Sequence, residues 1–209
     1  DGYCFNTNSN WVTARDADTG SSVNSSLTSY PYAIRASVAA GRGGTTYSIV
    51  RSFFEFDVSG ITHVPQLGTL QIRGHNNGTS DVVAVKSTQS ASLATSDFDA
   101  IDGWDGSSAD GSGAGDNLSN VTIYGSVISS WSTSGYNSFT LTQSALVDIA
   151  GLTTLKVCLI EEDNDLRDTT PTSATNYAGV RFSEYSSTGS DPKIVITEQD
   201  NSVFVGCNF

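Results

Sequence analysis

The chain has 209 residues, with 22 acidic against 10 basic side chains, a formal charge of −12, and charged residues at only 15%, where about 25% is usual. Its three lysines, Lys86, Lys156 and Lys193, lie far apart, which argues against nucleic acid and against anionic membrane surfaces, because both need grouped cations. A chain of this length buries about 70% of its extended surface, so it needs neither metal nor disulfide merely to fold.

In chain order, Cys4 comes first and Cys207 lies near the other end. The ends of a sandwich are often close together, so a Cys4–Cys207 bridge is one arrangement, although spacing cannot establish it. The first strand-like run is "AIRASVAA" (33–40), followed by "SIVRSFFEFDV" (48–58). In the latter Val50, Phe54, Phe56 and Val58 share one parity, and Arg51, Glu55 and Asp57 the other. One face should therefore meet a core and the other water. "GTLQIRG" (68–74) and "DVVAVKS" (81–87) come next, then a short turn in "SLATSDFDAI". The Gly/Asp/Ser-rich stretch 102–117 reads as a long surface loop inside one domain.

"NVTIYGSVIS" (120–129) and "NSFTLT" (137–142) resume the strand pattern, with Trp131 expected against a sheet edge. "TQSALVDIAG" reads as one or two helical turns, with Thr142 as N-cap and Gly151 as the stop. "TTLKVCLIEE" (153–162) places Cys158 as a small buried hydrophobe. "AGVRFSEY" (178–185) and "KIVITE" (193–198) direct Phe182, Ile194 and Ile196 to the core, and Pro192 opens the last strand where its missing N–H does no harm. "SVFVG" (202–206) can add one more strand. Many strands at this spacing, with almost no helix, predict an all-β, antiparallel two-sheet sandwich. Residues 1–198 form its single domain. Residues 199–209 are a tail that completes the domain or pairs with a neighbouring subunit. No run of 18 apolar residues occurs, so no membrane-spanning helix is expected.

Catalytic signatures are weak. His63 sits in the turn "ITHVPQ" and His75 in "RGHNNG", with no nucleophile elbow around any serine. The acidic run "EEDNDLRD" (161–168) reads as a solvated strand end and loop, partly neutralised by Arg167. Two readings stand for "DFDAIDGWDG": an irregular calcium site using Asp97, Asp99, Asp102 and Asp105, or a plain acidic loop. "RDADTG" (15–20) offers the same pair of readings. EF-hand spacing fails, since the third acid arrives one position late and no Glu stands at position 12. Sugar binding uses aromatic faces in polar surroundings, for which Trp104, Trp11, Tyr136 and Tyr185 are the candidates.

The runs "RSFFEFDVSGI" (51–61), "LGTLQIRG" (67–74), "SLATSDFDAIDGW" (92–104), "LTQSALVDIAGLTTLKVCLIEEDND" (141–165) and "NYAGVRFSEYSSTGSDPKIVITE" (176–198) occur in the order of a known pattern. The chain resembles DNRLRE-type, carbohydrate-binding-module-like jelly-roll domains, as found in structural proteins of tailed bacteriophages. The resemblance implies a jelly roll without catalytic residues or a required cofactor. It also implies a virion-surface or extracellular module that joins other subunits, forms a homo-oligomer and contacts host glycans. A secreted carbohydrate-binding module and a filament or adhesin subunit are the alternatives.

Overall fold

The computed structural model describes residues 1–106, 117–186 and 188–198. The predicted tail and Cys207 lie outside them. The chain opens with β1 (Gly2–Asn8), α1 (Trp11–Arg15) and the short β2 (Ser22–Asn24), three elements that the sequence reading left out. β3 (Ser29–Gly41) and β4 (Gly44–Asp57) form a long hairpin, followed by β5 (Leu67–Asn77) and β6 (Val82–Lys86). After a single 3-10 turn at Thr95–Asp97 come β7 (Ile123–Ile128), β8 (Tyr136–Thr140), α2 (Gln143–Gly151) and β9 (Thr154–Glu161). A π-turn at Glu162–Leu166 leads to β10 (Tyr177–Arg181), a 3-10 turn at Thr188–Ser190 and β11 (Lys193–Thr197). The predicted strand 178–185 stops at Arg181, where Tyr185 N–H closes a turn on Phe182 O at 3.1 Å.

All strand pairings are antiparallel. Neighbours run β11-β5-β10-β3-β4-β9-β6-β7, with β8 on β5, β1 on β4 and β2 on β1. A bridge between Gly125 in β7 and Leu141, just past β8, joins the two ends. The result is an all-β, nearly closed sheet. Its pairings link all the strands in one network and do not by themselves divide them into two sheets.

Alternate residues of this sheet fill the main core: Phe54, Leu70, Ile72, Phe139, Val157, Leu159 and Val180 among others, with Phe182 inside as expected. Trp131 is also in this core and not at a sheet edge; its indole N–H donates to Gly179 O at 2.9 Å. α2 closes one end with Leu146 and Ile149. It starts where the sequence placed it, since Thr142 Oγ1 accepts from Ala145 N–H at 3.4 Å.

A second core lies on the outer side of β4, β9 and β6. Ile49, Phe53, Val83, Val85, Cys158 and Ile160 turn outward there and meet Cys4, Trp11, Ala14, Phe98 and Leu166. Arg51 is buried within this layer, so the expectation that it faces water is corrected. The parity was right, and Glu55 and Asp57 on the same face are exposed. What covers Arg51 is chain from elsewhere: β1, α1, the segment around Phe98 and the π-turn.

Candidate functional site

On the other wall, β5 carries β8 on one side and β11 on the other. Leu70 and Ile72 point inward and are fully buried, so Thr69, Gln71 and Arg73 point outward. The register sets Thr69 beside Thr140, Gln71 beside Ser138 and Arg73 beside Tyr136. On the β11 side Gln71 adjoins Lys193, and Thr69 adjoins Val195. Val180 of β10 is paired with Gly74, which brings Arg181 alongside Arg73. Directly opposed residues share a face, so these side chains form one outward surface of hydroxyls, an amide, three cations and an aromatic ring.

Lys193 Nζ sits 4.4 Å from the centre of the Tyr136 ring, Arg73 lies 6.0 Å from it, and Arg181 lies 4.2 Å from Tyr185. Cations at this range are attracted by the ring quadrupole. Tyr136 is anchored by its hydroxyl, which donates to Gly189 O at 3.0 Å and Asp191 O at 3.1 Å. Arg73 Nη2 donates to Ser134 O at 2.8 Å, and Arg181 Nη1 to Ser190 Oγ at 3.3 Å. Their two Nε atoms are buried with no hydrogen-bond partner among the described residues.

Of the ten basic residues, Arg15, Arg51, Lys86, Lys156 and Arg167 form ion pairs. Arg73, Arg181 and Lys193 have no carboxylate within ion-pair distance among the described residues. Three unpaired cations therefore share one face of a strongly acidic chain. Tyr136 and Tyr185, two of the four predicted sugar-contact aromatics, belong to it.

The other two do not. Trp11 is 6% exposed, its indole N–H donates to Asp168 Oδ1 at 2.8 Å, and its ring meets Tyr47 edge-on. Trp104 is half-buried against the second core, with the guanidinium of Arg51 4.0 Å and that of Arg15 4.7 Å from its ring. Both indoles hold the outer layer in place. A group that the sequence reading missed is a row of tyrosines. Tyr3 stacks on Tyr30 at 4.3 Å, Tyr30 meets Tyr32 edge-on, and Tyr32 meets Tyr177 edge-on at 4.8 Å, with Arg35 5.2 Å from the Tyr32 ring. These residues come from β1, β3 and β10, so no local stretch of sequence reveals their contact.

The predicted calcium ligands are dispersed. Asp97 accepts from Ser90 N–H, Ser90 Oγ and Ala94 N–H. Burial alone would raise its pKa, but these bonds outweigh it and hold the carboxyl below its ordinary value. Burial pushes Asp99 up. Asp102 accepts from Thr122 Oγ1 at 2.8 Å, and Asp105 donates its backbone N–H to Asn117 Oδ1 at 2.9 Å. No group of three potential metal-ligating side chains converges among the described residues. Cys4 is a buried thiol with no disulfide partner among the described residues; its Sγ donates to Ala94 O at 3.3 Å, and burial pushes it up to about 12. His63 and His75 are both exposed.

The acidic run 161–168, expected in solvent, is largely interior. Arg51 donates to both oxygens of Asp165, at 2.9 and 2.7 Å, and to the carbonyls of Phe98 and Arg15. Burial acts to lower the Arg51 pKa, but Asp165 outweighs it and the net shift is upward. Arg15 donates to Asp165 O at 2.6 Å. Glu161 caps the π-turn by accepting from Asn164 and Asp165 N–H, and burial pushes its carboxyl up to about 8. Asp163 and Arg167 are exposed as expected, and Arg167 pairs with Glu162 at 2.6 Å. Asp168 ends the turn at φ +51, a left-handed conformation that Asp tolerates better than most residues.

Comparison with known proteins finds no matching family model and no significantly similar curated protein.

Proposed function

We propose that the chain is a non-enzymatic jelly-roll module of a virion-surface or extracellular assembly, and that it contacts host glycans through the outward face of β8, β5 and β11. The observation that carries this reading is the grouping of Arg73, Arg181 and Lys193 around Tyr136 and Tyr185, with no carboxylate within ion-pair distance of them among the described residues. A sugar ring can lie on an aromatic face and on cation stems, its hydroxyls can bond Gln71, Ser138 and the guanidinium groups, and a sugar carboxylate meets three positive charges. Steering also favours this face, because the rest of a −12 surface repels acidic ligands. The resemblance to phage jelly-roll domains supplies the setting, and other subunits of the same assembly are the expected partners.

The test is glycan binding by Lys193→Ala, Arg73→Ala and Trp104→Ala variants against a panel of neutral and uronic-acid polysaccharides, with melting temperature as the folding control. The two cation variants should weaken acidic-glycan binding at least tenfold, about 1.4 kcal/mol, with folding kept. Trp104→Ala should bind normally if it folds. Undiminished binding in both cation variants would rule out this face.

A further inference from the structure

The row of tyrosines drawn from β1, β3 and β10 contains one pair unlike the rest. Tyr3 and Tyr30 lie 4.3 Å apart with their rings 7° from parallel. The next contacts are edge-on: Tyr30 meets Tyr32 at 83°, and Tyr32 meets Tyr177 at 86°. Tyr3 and Tyr30 are both partly buried against the main core, whereas Tyr32 is 37% exposed. Burial, and after it the Tyr30 hydroxyl, push the Tyr3 phenol above its ordinary value. The two hydroxyls therefore lie at the same end of the stack, and Tyr3 keeps its proton at neutral pH. Sulfur competes little for an oxidant here. The chain has no methionine, and Cys4 and Cys158 are buried thiols whose pKa burial raises, while cysteine oxidation follows thiolate character and exposure.

We propose that Tyr3 and Tyr30 are a modification site, which a peroxidase acting with hydrogen peroxide joins into an intramolecular dityrosine. Each phenol gives up one electron and one proton. The unpaired spin then rests partly on the Cε carbons beside the hydroxyl, in orbitals perpendicular to the ring. Parallel rings set those orbitals face to face, the near-attack arrangement that removes much of the entropic cost of joining two groups. An edge-on pair does not. One Cε of each ring forms the bond, and the hydrogen on that carbon moves to the phenolic oxygen of its own ring. The two electrons and two protons reduce one hydrogen peroxide to two waters, so the protein loses two hydrogens in all. Tyr32, exposed and 6.1 Å from the Tyr30 ring, is the entry point, from which a radical passes inward to the stacked pair. The bond ties β1, which pairs with β2 and β4, to β3, which pairs with β4 and β10. A cross-link removes freedom from the unfolded chain, so the bond staples the two strands together.

The test treats the dilute full chain, carrying Cys207→Ser so that this thiol does not compete, with a heme peroxidase and hydrogen peroxide. The monomer should gain dityrosine fluorescence and lose the mass of two hydrogens. Trypsin should then release residues 1–15 joined to residues 16–35, with fragmentation placing the bond on Tyr3 and Tyr30, and the linked monomer should melt at a higher temperature. Tyr3→Phe and Tyr30→Phe, which keep the ring but cannot form a phenoxyl radical, should each abolish the monomer's signal. Tyr32→Phe should slow its appearance and leave the same linked peptide. No dityrosine, dityrosine only in covalent dimers, a bond mapped to Tyr32, or a monomer signal that survives in Tyr3→Phe overturns the proposal. An unchanged rate in Tyr32→Phe overturns the entry point, and a linked monomer that melts no higher overturns the staple.

Discussion

Glu161 shows how burial converts an ordinary acid into a pH-dependent part. Its carboxyl lies at the end of β9, 1% exposed, and accepts two backbone N–H groups of the π-turn. Its folded value of about 8 stands above the ordinary 4.5, so the folded state holds a proton that the unfolded chain releases. The stability this contributes is fully present below about pH 4.5 and is lost as pH rises through 8. Asp163 and Asp99 shift in the same direction, while Asp97 and Asp148 shift downward and titrate below this window. The melting temperature should therefore fall between pH 5 and 8.5, and Glu161→Gln, which keeps an oxygen acceptor, should flatten the decline. An unchanged slope in that variant would mean that Glu161 is not the titrating group. Arg51 and Asp165 are different: both are fully buried, and deleting one partner of such a pair costs about 3–5 kcal/mol. They fix the outer layer in one arrangement.

At the scale of elements, the approach of chains governs what each strand tolerates. A Cβ at Gly74 in β5 would stand 1.8 Å from Ser132 O, and that segment is held by Asn137, whose side chain bonds both Ser132 N–H and Ser132 O. Gly74→Ala should cost about 2 kcal/mol by overpacking, lowering the melting temperature by roughly 4–8 °C. A melt within 1 °C of the parent would show that the segment yields freely. Sequence pattern made β3 to β11, the helix after Thr142 and the burial of Cys158 legible, because period-two alternation and a capping hydroxyl are local signals. It did not reveal β1, although "GYCFNTN" has alternating burial, because its polar residues hide the period. Nor could it place Trp104 or Arg51. Arg51 is surrounded by segments more than 30 residues away, and Trp104 is covered by the guanidinium groups of Arg15 and Arg51. An arginine on the polar face of a strand looks the same whether water or a second layer covers it. At the candidate face, Tyr136 and Tyr185 were legible as aromatics in polar company, whereas their cations were not. Arg73, Arg181 and Lys193 come together only through the β8–β5–β11 and β5–β10 registers.

The molecule as a whole is a ring of strands with unequal joints. β4 has partners along both edges and a core on both faces, and β9 lies between β4 and β6. The closure between β7 and β8 is slighter. Among the described residues it consists of the Gly125–Leu141 bridge, a Thr142 N–H bond to Tyr124 O at 2.9 Å, a Thr142 Oγ1 bond to Ile123 O at 2.8 Å, and a Thr140 N–H bond to Ser126 Oγ at 3.1 Å. The ladder between β6 and β7 is itself broken by register shifts. One polar knot reinforces the joint: Tyr124 donates its hydroxyl to Asp148 of α2, and Lys86 of β6 reaches the same carboxylate at 3.0 Å. Local opening follows the fewest buried contacts and the most exposed backbone bonds, so this joint should part before the rest unfolds. In native-state hydrogen exchange the β7 amides should be roughly tenfold or more less protected than those of β4 and β9. They should also respond to denaturant with a smaller slope, since a partial opening exposes less surface. Lys86→Met, which removes one arm of the knot, should widen the gap without changing exchange in β4. Equal protection of β7 and β4 at all denaturant concentrations would instead mean that the ring opens only as a unit, with the Tyr124–Asp148–Lys86 contact as strong a closure as a paired strand.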